Sequence, residues 1–186
     1  MARSKTISDE RVLDILLETV MEVGPADLTF GRAGRACGLS PSTLVQRYGD
    51  REAMIRAVLL RAWDRLDEAT AAADAAEPVT PEGAIDLLMR LMPPEHAERN
   101  ATDGLLLLRE DLRDPVLRAR GAAWGYRLAE ALGRRLSNDP AEAHRLGWQM
   151  ACLWQGAHTW WAFIRHDTAE AAIRTLLRGW LDDRDI

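Results

Sequence analysis

Apolar residues recur at helical spacing along almost the whole chain, and this periodicity constrains the fold more than any other feature. Nearly every stretch follows the i, i+3, i+4 spacing of an amphipathic helix, and no segment shows the period of two typical of a half-buried strand. Capping side chains stand before prolines at Thr80-Pro81, Asp114-Pro115 and Asp139-Pro140, which is typical of helix starts. The sequence therefore predicts an all-α protein.

Start and stop signals divide the chain into about nine helices. The predicted spans are 8–23, 29–37, 41–48, 51–74, 81–92, 101–112, 115–137, 140–166 and 168–182. The first three helices are short, and the fourth is long and continues into the alanine-rich stretch 69–76. We therefore expect a small N-terminal domain over 1–66 and a helical C-terminal domain over 67–186.

Composition excludes several classes of protein. Of the 186 residues, 47% are hydrophobic and 28% are charged, as in ordinary globular proteins. The longest dense apolar stretch, 148–164, is interrupted by polar residues, so we expect no membrane-spanning segment. The first residues lack the apolar core of a secretory signal, and two cysteines cannot form a disulfide framework. A cytoplasmic location is the simplest expectation.

Charge is unevenly distributed along the chain. The net charge is −5 overall, but it is +1 over residues 1–66 and −6 over residues 67–186. The segment 29–61 contains six arginines and only two acidic residues. A basic segment attached to an acidic body suggests that one end contacts phosphate while the other end has a different task.

The segment 29–48, TFGRAGRACGLSPSTLVQRY, has the pattern of a helix-turn-helix unit. Thr29 can cap the first helix, and Gly38 can end it in the left-handed conformation. Ser40 and Pro41 can start the second helix. Because Leu44 and Tyr48 are four residues apart, they should both face the core.

The remaining side chains of the second helix suit the major groove of DNA. Gln46 can form two hydrogen bonds with adenine, and Arg47 can do so with guanine. The hydroxyl groups of Ser42 and Thr43 and the free N–H groups at the helix start can bind phosphate. The structural alternative is that a short helix-turn-helix in an all-α protein serves packing alone.

The N-terminal residues resemble the tetracycline-repressor-like (TetR-type) family of transcriptional regulators. The resemblance covers about residues 8–60. Its markers are an amphipathic first helix, Gly24, Thr29, the run CGLSPSTL at 37–44, Tyr48 and the run DREAM at 50–54. It implies a three-helix DNA-binding head followed by a helical body that binds a ligand and dimerises.

The resemblance also implies which residues contact DNA. The family's contact positions fall here on Thr29, Arg32, Ser40, Pro41, Ser42, Thr43, Gln46, Arg47 and Arg51. Several positions depart from the family's pattern: Val45 replaces a phosphate-contacting tyrosine, Arg47 replaces a histidine, and Ala33 replaces a larger core residue. Gly31 and Gly34 lie inside the second helix, where each costs about 0.5–1 kcal/mol relative to alanine.

The C-terminal part holds six of the seven tryptophans. Its helix 140–166 is apolar on two sides, which indicates burial on both. The resemblance implies that the last two helices pair with their copies in a four-helix homodimer interface. The predicted interface residues are Trp148, Cys152, Thr159, Phe163, Ile173, Leu177 and Trp180.

The resemblance further implies an effector pocket between the head and the dimer interface. The candidate lining residues are Met89, Met92, Leu105, Leu108, Trp124, Tyr126, Trp154 and His158. Linings of this kind suit apolar or aromatic ligands, although each of these residues can also be plain core. His158 could orient a ligand, but a histidine among tryptophans is more often a hydrogen-bonded core residue.

No motif for catalysis or for a metal or cofactor is present. The four histidines and two cysteines do not cluster at ligand spacing, and there is no Walker, Rossmann or GxSxG motif. We expect no metal, no cofactor and no enzymatic activity, and we interpret Cys37 and Cys152 as buried, inert thiols.

The sequence thus predicts a ligand-responsive transcriptional regulator. It would act as a homodimeric repressor on a palindromic DNA operator, and a small apolar or aromatic effector would release it. The alternative is an all-α small-molecule-binding protein or enzyme that does not bind DNA.

Overall fold

The computed structural model describes residues 7–93 and 97–184, with only the backbone described for residues 98–103. Within these residues the chain forms nine α-helices and no strand. The helices are α1 (Asp9–Val23), α2 (Phe30–Cys37), α3 (Pro41–Tyr48), α4 (Arg51–Ala76), α5 (Pro81–Leu91), α6 (Ala97–Arg113), α7 (Pro115–Leu136), α8 (Pro140–Ile164) and α9 (Ala169–Asp182), with a short 3-10 turn at Pro25–Asp27. The predicted all-α fold is confirmed.

Capping side chains define the helix starts as the sequence predicted. Thr80, Asp114 and Asp139 each accept a hydrogen bond from the backbone N–H three residues ahead. Each such bond satisfies one of the free N–H groups at a helix start. Proline follows at the first helical position after Thr80 and Asp139, where its missing N–H costs nothing.

The chain packs as two compact units. The first comprises Met1–Asp64 with Asp103–Arg118, and the second comprises Arg65–Thr102 with Ala119–Ile186. The break near residue 64 lies close to the expected boundary at 66. The sequence did not predict that the end of α6 and the start of α7 would pack with the N-terminal helices.

The core of the first unit is built mainly from α1 and α4. Leu117, at the start of α7, is 1% exposed and joins this core. Its other fully buried side chains include Val12, Leu16, Leu28, Leu44, Met54 and Val58. Hydrogen bonds at the edge, from Arg61 to Asp14 and from Trp63 to Asp111, join α1 and α6 to α4.

In the second unit, α7 and α8 approach each other closely at glycines. A Cβ atom added at Gly147 would clash with the backbone carbonyl of Ala129, and one added at Gly133 would clash with that of Ala143. Any larger side chain at these two positions would therefore force the helices apart. The fully buried side chains of this unit include Ile85, Leu87, Leu88, Leu128, Leu132, Leu146, Met150, Ile173 and Leu177.

Arg135 of α7 is a buried cation of the second unit. Its side chain is 0% exposed. It donates hydrogen bonds to the carboxylate of Asp74 at 2.6 Å and to the backbone carbonyls of Asp74, Glu77, Pro78 and Ala131 at 2.8–3.0 Å. The guanidinium therefore satisfies carbonyl groups at the end of α4, which have no partner inside that helix.

Candidate nucleic-acid interface

The segment from α2 to α3 has the geometry of a helix-turn-helix. The Thr29 hydroxyl accepts from the N–H of Arg32 at 3.2 Å, and Gly38 ends α2 in the left-handed region with φ of 67°. The turn is closed by a hydrogen bond from the Leu39 N–H to the Gly34 carbonyl at 2.9 Å. The Ser40 hydroxyl then accepts from the Thr43 N–H at 3.1 Å and starts α3. The predicted caps are confirmed.

Gly34 permits the close contact between α2 and the turn. A Cβ atom at this position would lie 2.6 Å from the carbonyl oxygen of Leu39, which is a backbone atom that cannot move aside. By contrast, a Cβ atom at Gly31 would meet nothing closer than 3.9 Å. The sequence treated both glycines as a cost to α2, whereas the structure gives Gly34 a steric reason.

The two faces of α3 differ sharply in exposure. Leu44 is 0% exposed and lies in the core of the first unit, and Tyr48 packs partly against that core. Pro41, Ser42, Val45 and Gln46 are exposed on the outer side of the helix. Val45 is 43% exposed, which leaves an apolar patch beside the Gln46 amide. For these residues the division between core and outer face follows the expected one.

Three hydroxyl groups at the start of α3 form a small cluster. The Ser40 oxygen lies 2.8 Å from that of Ser42 and 2.7 Å from that of Thr43. Ser40 and Ser42 are exposed, and Thr43 is partly exposed. These hydroxyl groups and the N–H groups of the first turn make this helix start chemically suited to an anionic oxygen.

Arg47 lies beside a carboxylate of its own chain. Its Nη1 lies 3.0 Å from Oδ1 of Asp9, at the first position of α1, and its side chain is only 22% exposed. The nearby Cys37 thiol has a pKa raised by burial, against a lowering by the Arg47 charge. The structure therefore lays Arg47 against α1, in contrast to the freely projecting side chain that the sequence suggested.

Arg51 also makes contacts that the sequence did not predict. Its Nε donates to the Leu28 carbonyl at 3.0 Å, and its Nη2 donates to the Pro25 and Ala26 carbonyls. The guanidinium thus joins the start of α4 to the 3-10 turn. Arg32, on α2, is partly exposed. The sequence shows that Arg51 is charged and follows an acidic residue. It does not show that backbone carbonyls distant in the sequence accept its hydrogen bonds.

The chain resembles three solved transcriptional regulators in structure. A TetR-like transcriptional regulator from Rhodococcus sp. RHA1 matches over 92% of this chain and 92% of its own, with a TM-score of 0.64 and 16% identity. A putative TetR-family regulator from Rhodococcus sp. matches over 93% and 95%, with a TM-score of 0.60 and 20% identity. The TetR-family regulator PfmR from Thermus thermophilus matches over 90% and 97%, with a TM-score of 0.59 and 18% identity.

The chain has the TetR-type fold. No protein-family model and no curated protein matches the sequence. At such low identity the likeness establishes the fold, and it spans both units of the chain. The resemblance seen in the N-terminal residues is therefore confirmed at the level of the fold, including the C-terminal helices that carry no common sequence pattern.

The candidate effector residues of this TetR-type fold are divided between the two units. Leu105 and Leu108 belong to the first unit, where they are 54% and 44% exposed on α6. In the second unit, Tyr126 is 61% exposed, whereas four others are at most 8% exposed: Met89, Met92, Trp124 and Trp154. The apolar pattern could not distinguish an exposed stripe from a buried lining.

Two of the buried candidates have clear hydrogen-bonding states. The Trp124 indole N–H donates to the Thr70 hydroxyl at 3.0 Å in the interior of the second unit. The Trp154 indole N–H is buried without a hydrogen-bond partner among the described residues. One turn further along α8, Nε2 of His158 lies 3.0 Å from the Ala97 carbonyl oxygen, and its ring stacks on Trp161. The expected hydrogen bond of His158 is therefore present.

The candidate dimer residues fall into two groups. Cys152, Thr159 and Phe163 are exposed on α8, and Phe163 is 78% exposed. Trp148 and Trp180 are partly exposed. Ile173 and Leu177, however, are each 0% exposed within one protomer.

The assignment of Ile173 and Leu177 to a dimer interface is therefore corrected. Both lie in the interior of the second unit and leave no surface for a partner. Their stripe on α9 splits, because Leu177 and Leu181 turn inward while Leu176 is 43% exposed. The sequence showed the apolar stripe, but it could not show which part of it faces the chain's own core.

Three further findings concern the thiols, metal ligands and membrane spans. Cys152 is exposed, so the interpretation that both cysteines are buried holds only in part, for the half-buried Cys37. In the described part of the chain, no group of three or more His, Cys, Asp or Glu residues is arranged to hold a metal ion. None of the described helices is both long enough and apolar enough to span a bilayer.

Proposed function

We propose that this protein is a homodimeric transcriptional regulator that represses by binding a palindromic DNA operator through α3. The observation that carries the proposal is the outer face of α3, which is exposed, polar at its start and held by a tightly closed turn. The same fold in three transcriptional regulators supports it. Side chains near the start of a recognition helix reach base edges in the major groove.

The contacts divide by chemistry. Gln46 is exposed and can offer its amide oxygen and nitrogen to an adenine edge. Val45 can pack on a thymine methyl group. Ser42, Thr43 and the N–H groups of the first turn of α3 suit backbone phosphate. The Asp9 carboxylate competes with DNA for Arg47, so we assign Arg47 a contact that forms only when this ion pair opens.

Dimerisation is proposed through the exposed sides of α8 and α9. Trp160 and Phe163 are 67% and 78% exposed, and their rings lie 5.9 Å apart. Large apolar groups on a surface at this exposure favour a protein partner. An isologous contact would present two copies of α3, and successive major grooves on one side of DNA are about 34–36 Å apart.

The proposed effector site is the second unit. Its buried Trp124 and Trp154 suit an aromatic or apolar ligand, and the unpartnered Trp154 N–H could donate to a carbonyl or hydroxyl oxygen of that ligand. A ligand seated there would change the separation of the two copies of α3 and so weaken operator binding.

Selection of bound duplexes from a random pool tests the proposal. The full-length protein should enrich a palindrome, and Gln46→Ala should lose preference at one base position in each half-site, at a cost of about 1–3 kcal/mol of discrimination. Asn138→Ala, an exposed amide side chain between α7 and α8, is the control and should select the same palindrome as the unaltered protein. A pool that shows no enrichment would favour a small-molecule-binding protein without DNA binding.

A further inference from the structure

An open cleft of about 480 Å³ lies within the first unit. It is bordered by the 3-10 turn, the start of α4, the end of α6 and the first turn of α7, and none of its lining residues belongs to α3. Its size falls within the range of small-molecule sites. The cleft is thus separate from both the outer face of α3 and the proposed effector site.

Four arginines line this cleft. Arg56 is paired with Asp114 at 2.5 Å, and Arg109 is paired with Glu110 at 2.9 Å. Arg51 donates to neutral backbone carbonyls, so its charge is not balanced by a carboxylate there. Arg113 is exposed, and it has neither an ion pair nor a hydrogen bond with any residue whose side chain the structure describes, namely 7–93, 97 and 104–184.

The acidic residues of the lining limit what can bind. Glu52, Glu110 and Asp114 stand against the four arginines, so the cleft has a positive charge of about one unit. A DNA duplex would bring several phosphates towards these carboxylates, which would repel them. A molecule with one or two negative charges avoids that repulsion and can still contact a guanidinium.

The inner wall of the cleft is apolar. Ile55 is 9% exposed and Leu117 is 1% exposed, and both belong to the core of the first unit. Pro25, also buried, borders them from the 3-10 turn. The cleft therefore combines an apolar wall with guanidinium groups, which suits an amphiphilic ligand better than a bare ion.

We propose that this cleft binds a small organic anion. Its carboxylate pairs with Arg113 and Arg109, and its apolar body lies against Ile55 and Leu117. Arginine binds carboxylates through parallel N–H donors, and because its pair with Glu110 is largely solvent-exposed and therefore weak, Arg109 is able to join. Binding would join the end of α6 to the start of α4 in the unit that carries α3.

Thermal unfolding of the full-length protein tests this site without DNA. Benzoate is the probe, benzamide is its neutral analogue, and inorganic phosphate supplies charge without an apolar body. At about ten times the dissociation constant, benzoate should raise the Tm by about 3–6 °C. Arg113→Ala should abolish most of this rise, whereas Arg35→Ala, an exposed arginine of α2 outside the cleft, should retain it.

The outcomes separate the possible ligands. Protection by benzoate that exceeds protection by phosphate, and that is lost in Arg113→Ala, supports the proposal. Equal protection by benzamide, or an equal rise in Arg113→Ala and Arg35→Ala, would overturn it, because charge recognition in the cleft would then be absent. It would also be overturned if no probe raised the Tm while Arg113→Ala weakened DNA binding, since Arg113 would then serve the DNA backbone.

Discussion

Arg47 illustrates how a side chain on a predicted contact face can already be engaged within its own chain. Its Nη1 lies 3.0 Å from the Asp9 carboxylate, which is itself 77% exposed. An ion pair between partly exposed groups contributes little stability, typically about 0–1 kcal/mol. In the proposed complex, DNA phosphate or a guanine edge can therefore displace Asp9 at small cost, so we expect the pair to tune affinity without preventing binding.

Replacing Asp9 should strengthen DNA binding if Arg47 contacts the operator. Asp9→Asn removes the competing charge, and we expect operator affinity to rise about two- to fivefold, because the pair contributes no more than about 1 kcal/mol. Glu10→Gln is the matched control, since it removes an exposed neighbouring charge without touching Arg47. Fluorescence anisotropy at fixed salt measures both. Equal gains in the two variants would show that only net charge matters.

A second prediction at the residue scale concerns Asp111 and the pH dependence of stability. Burial raises the pKa of the Asp111 carboxyl above its ordinary value, against a lowering by the hydrogen bond from Trp63. A carboxyl with a raised folded-state pKa favours the folded state in acid, and that contribution is lost as pH rises through the raised pKa. Asp111→Asn keeps an oxygen acceptor for Trp63 and carries no charge.

We therefore expect Asp111→Asn to be more stable than the unaltered protein at pH 7, with the difference shrinking as the pH falls towards about 4. Urea unfolding at several pH values measures this.

Asp74→Asn is the opposite case. Burial acts to raise the pKa of Asp74, but hydrogen bonds from Arg134 and Arg135 outweigh it and lower the pKa. Its loss should destabilise at pH 7 and matter less in acid. A similar pH dependence in both variants would contradict these assignments.

At the scale of elements, the sequence predicted helix boundaries better than helix faces. Caps such as Ser40 and Thr80 act within a few residues, so their effect can be seen in the local pattern. Which stripe of a helix faces the chain's own core depends on distant residues, and Leu177 was therefore assigned to the wrong side. The turn of the helix-turn-helix was predictable for the same local reason, whereas the partners of Arg51 were not.

The prediction at the scale of elements concerns the hydrogen bonds that Arg135 donates near the end of α4. Arg135→Lys cannot supply the bonds to the end of α4 and leaves buried carbonyls without donors, so unfolding free energy should fall by about 2–4 kcal/mol. The neighbouring Arg134 also contacts Asp74 but is 45% exposed, so Arg134→Lys should cost roughly 0–1 kcal/mol. Urea unfolding measures both at one pH. Similar losses would mean that burial of the Arg135 bonds is not what matters.

At the scale of the whole molecule, α8 carries an exposed apolar surface that we expect a partner to cover. Trp160, Phe163 and Ile164 are each more than half exposed, and Leu176 of α9 is 43% exposed. The sequence predicted that α8 is apolar on two sides. In the structure, one of these sides is buried in the protomer and the other is open to solvent. The partner that covers it remains the homodimer of our proposal.

Charges on this surface should separate the protomers. We expect the double variant Trp160→Glu, Phe163→Glu to sediment as a monomer, because charges would have to be buried in the contact. It should also lose operator binding although α2 and α3 are unchanged. Val79→Glu, on an equally exposed apolar residue outside α8 and α9, should remain dimeric and bind normally. A double variant that stays dimeric and binds DNA would place the interface elsewhere.

The tight contact at Gly34 has a consequence for any attempt to redirect the proposed DNA recognition to new sequences. A combinatorial library should leave position 34 untouched, since even alanine would clash with the Leu39 carbonyl and force the turn before α3 to shift. Positions 42, 45 and 46 are exposed, so they can be randomised with little effect on folding. The contact between Gly34 and the turn is therefore separate from the exposed residues of α3. The proposed DNA-contacting surface can be changed without altering the contact that positions the helix.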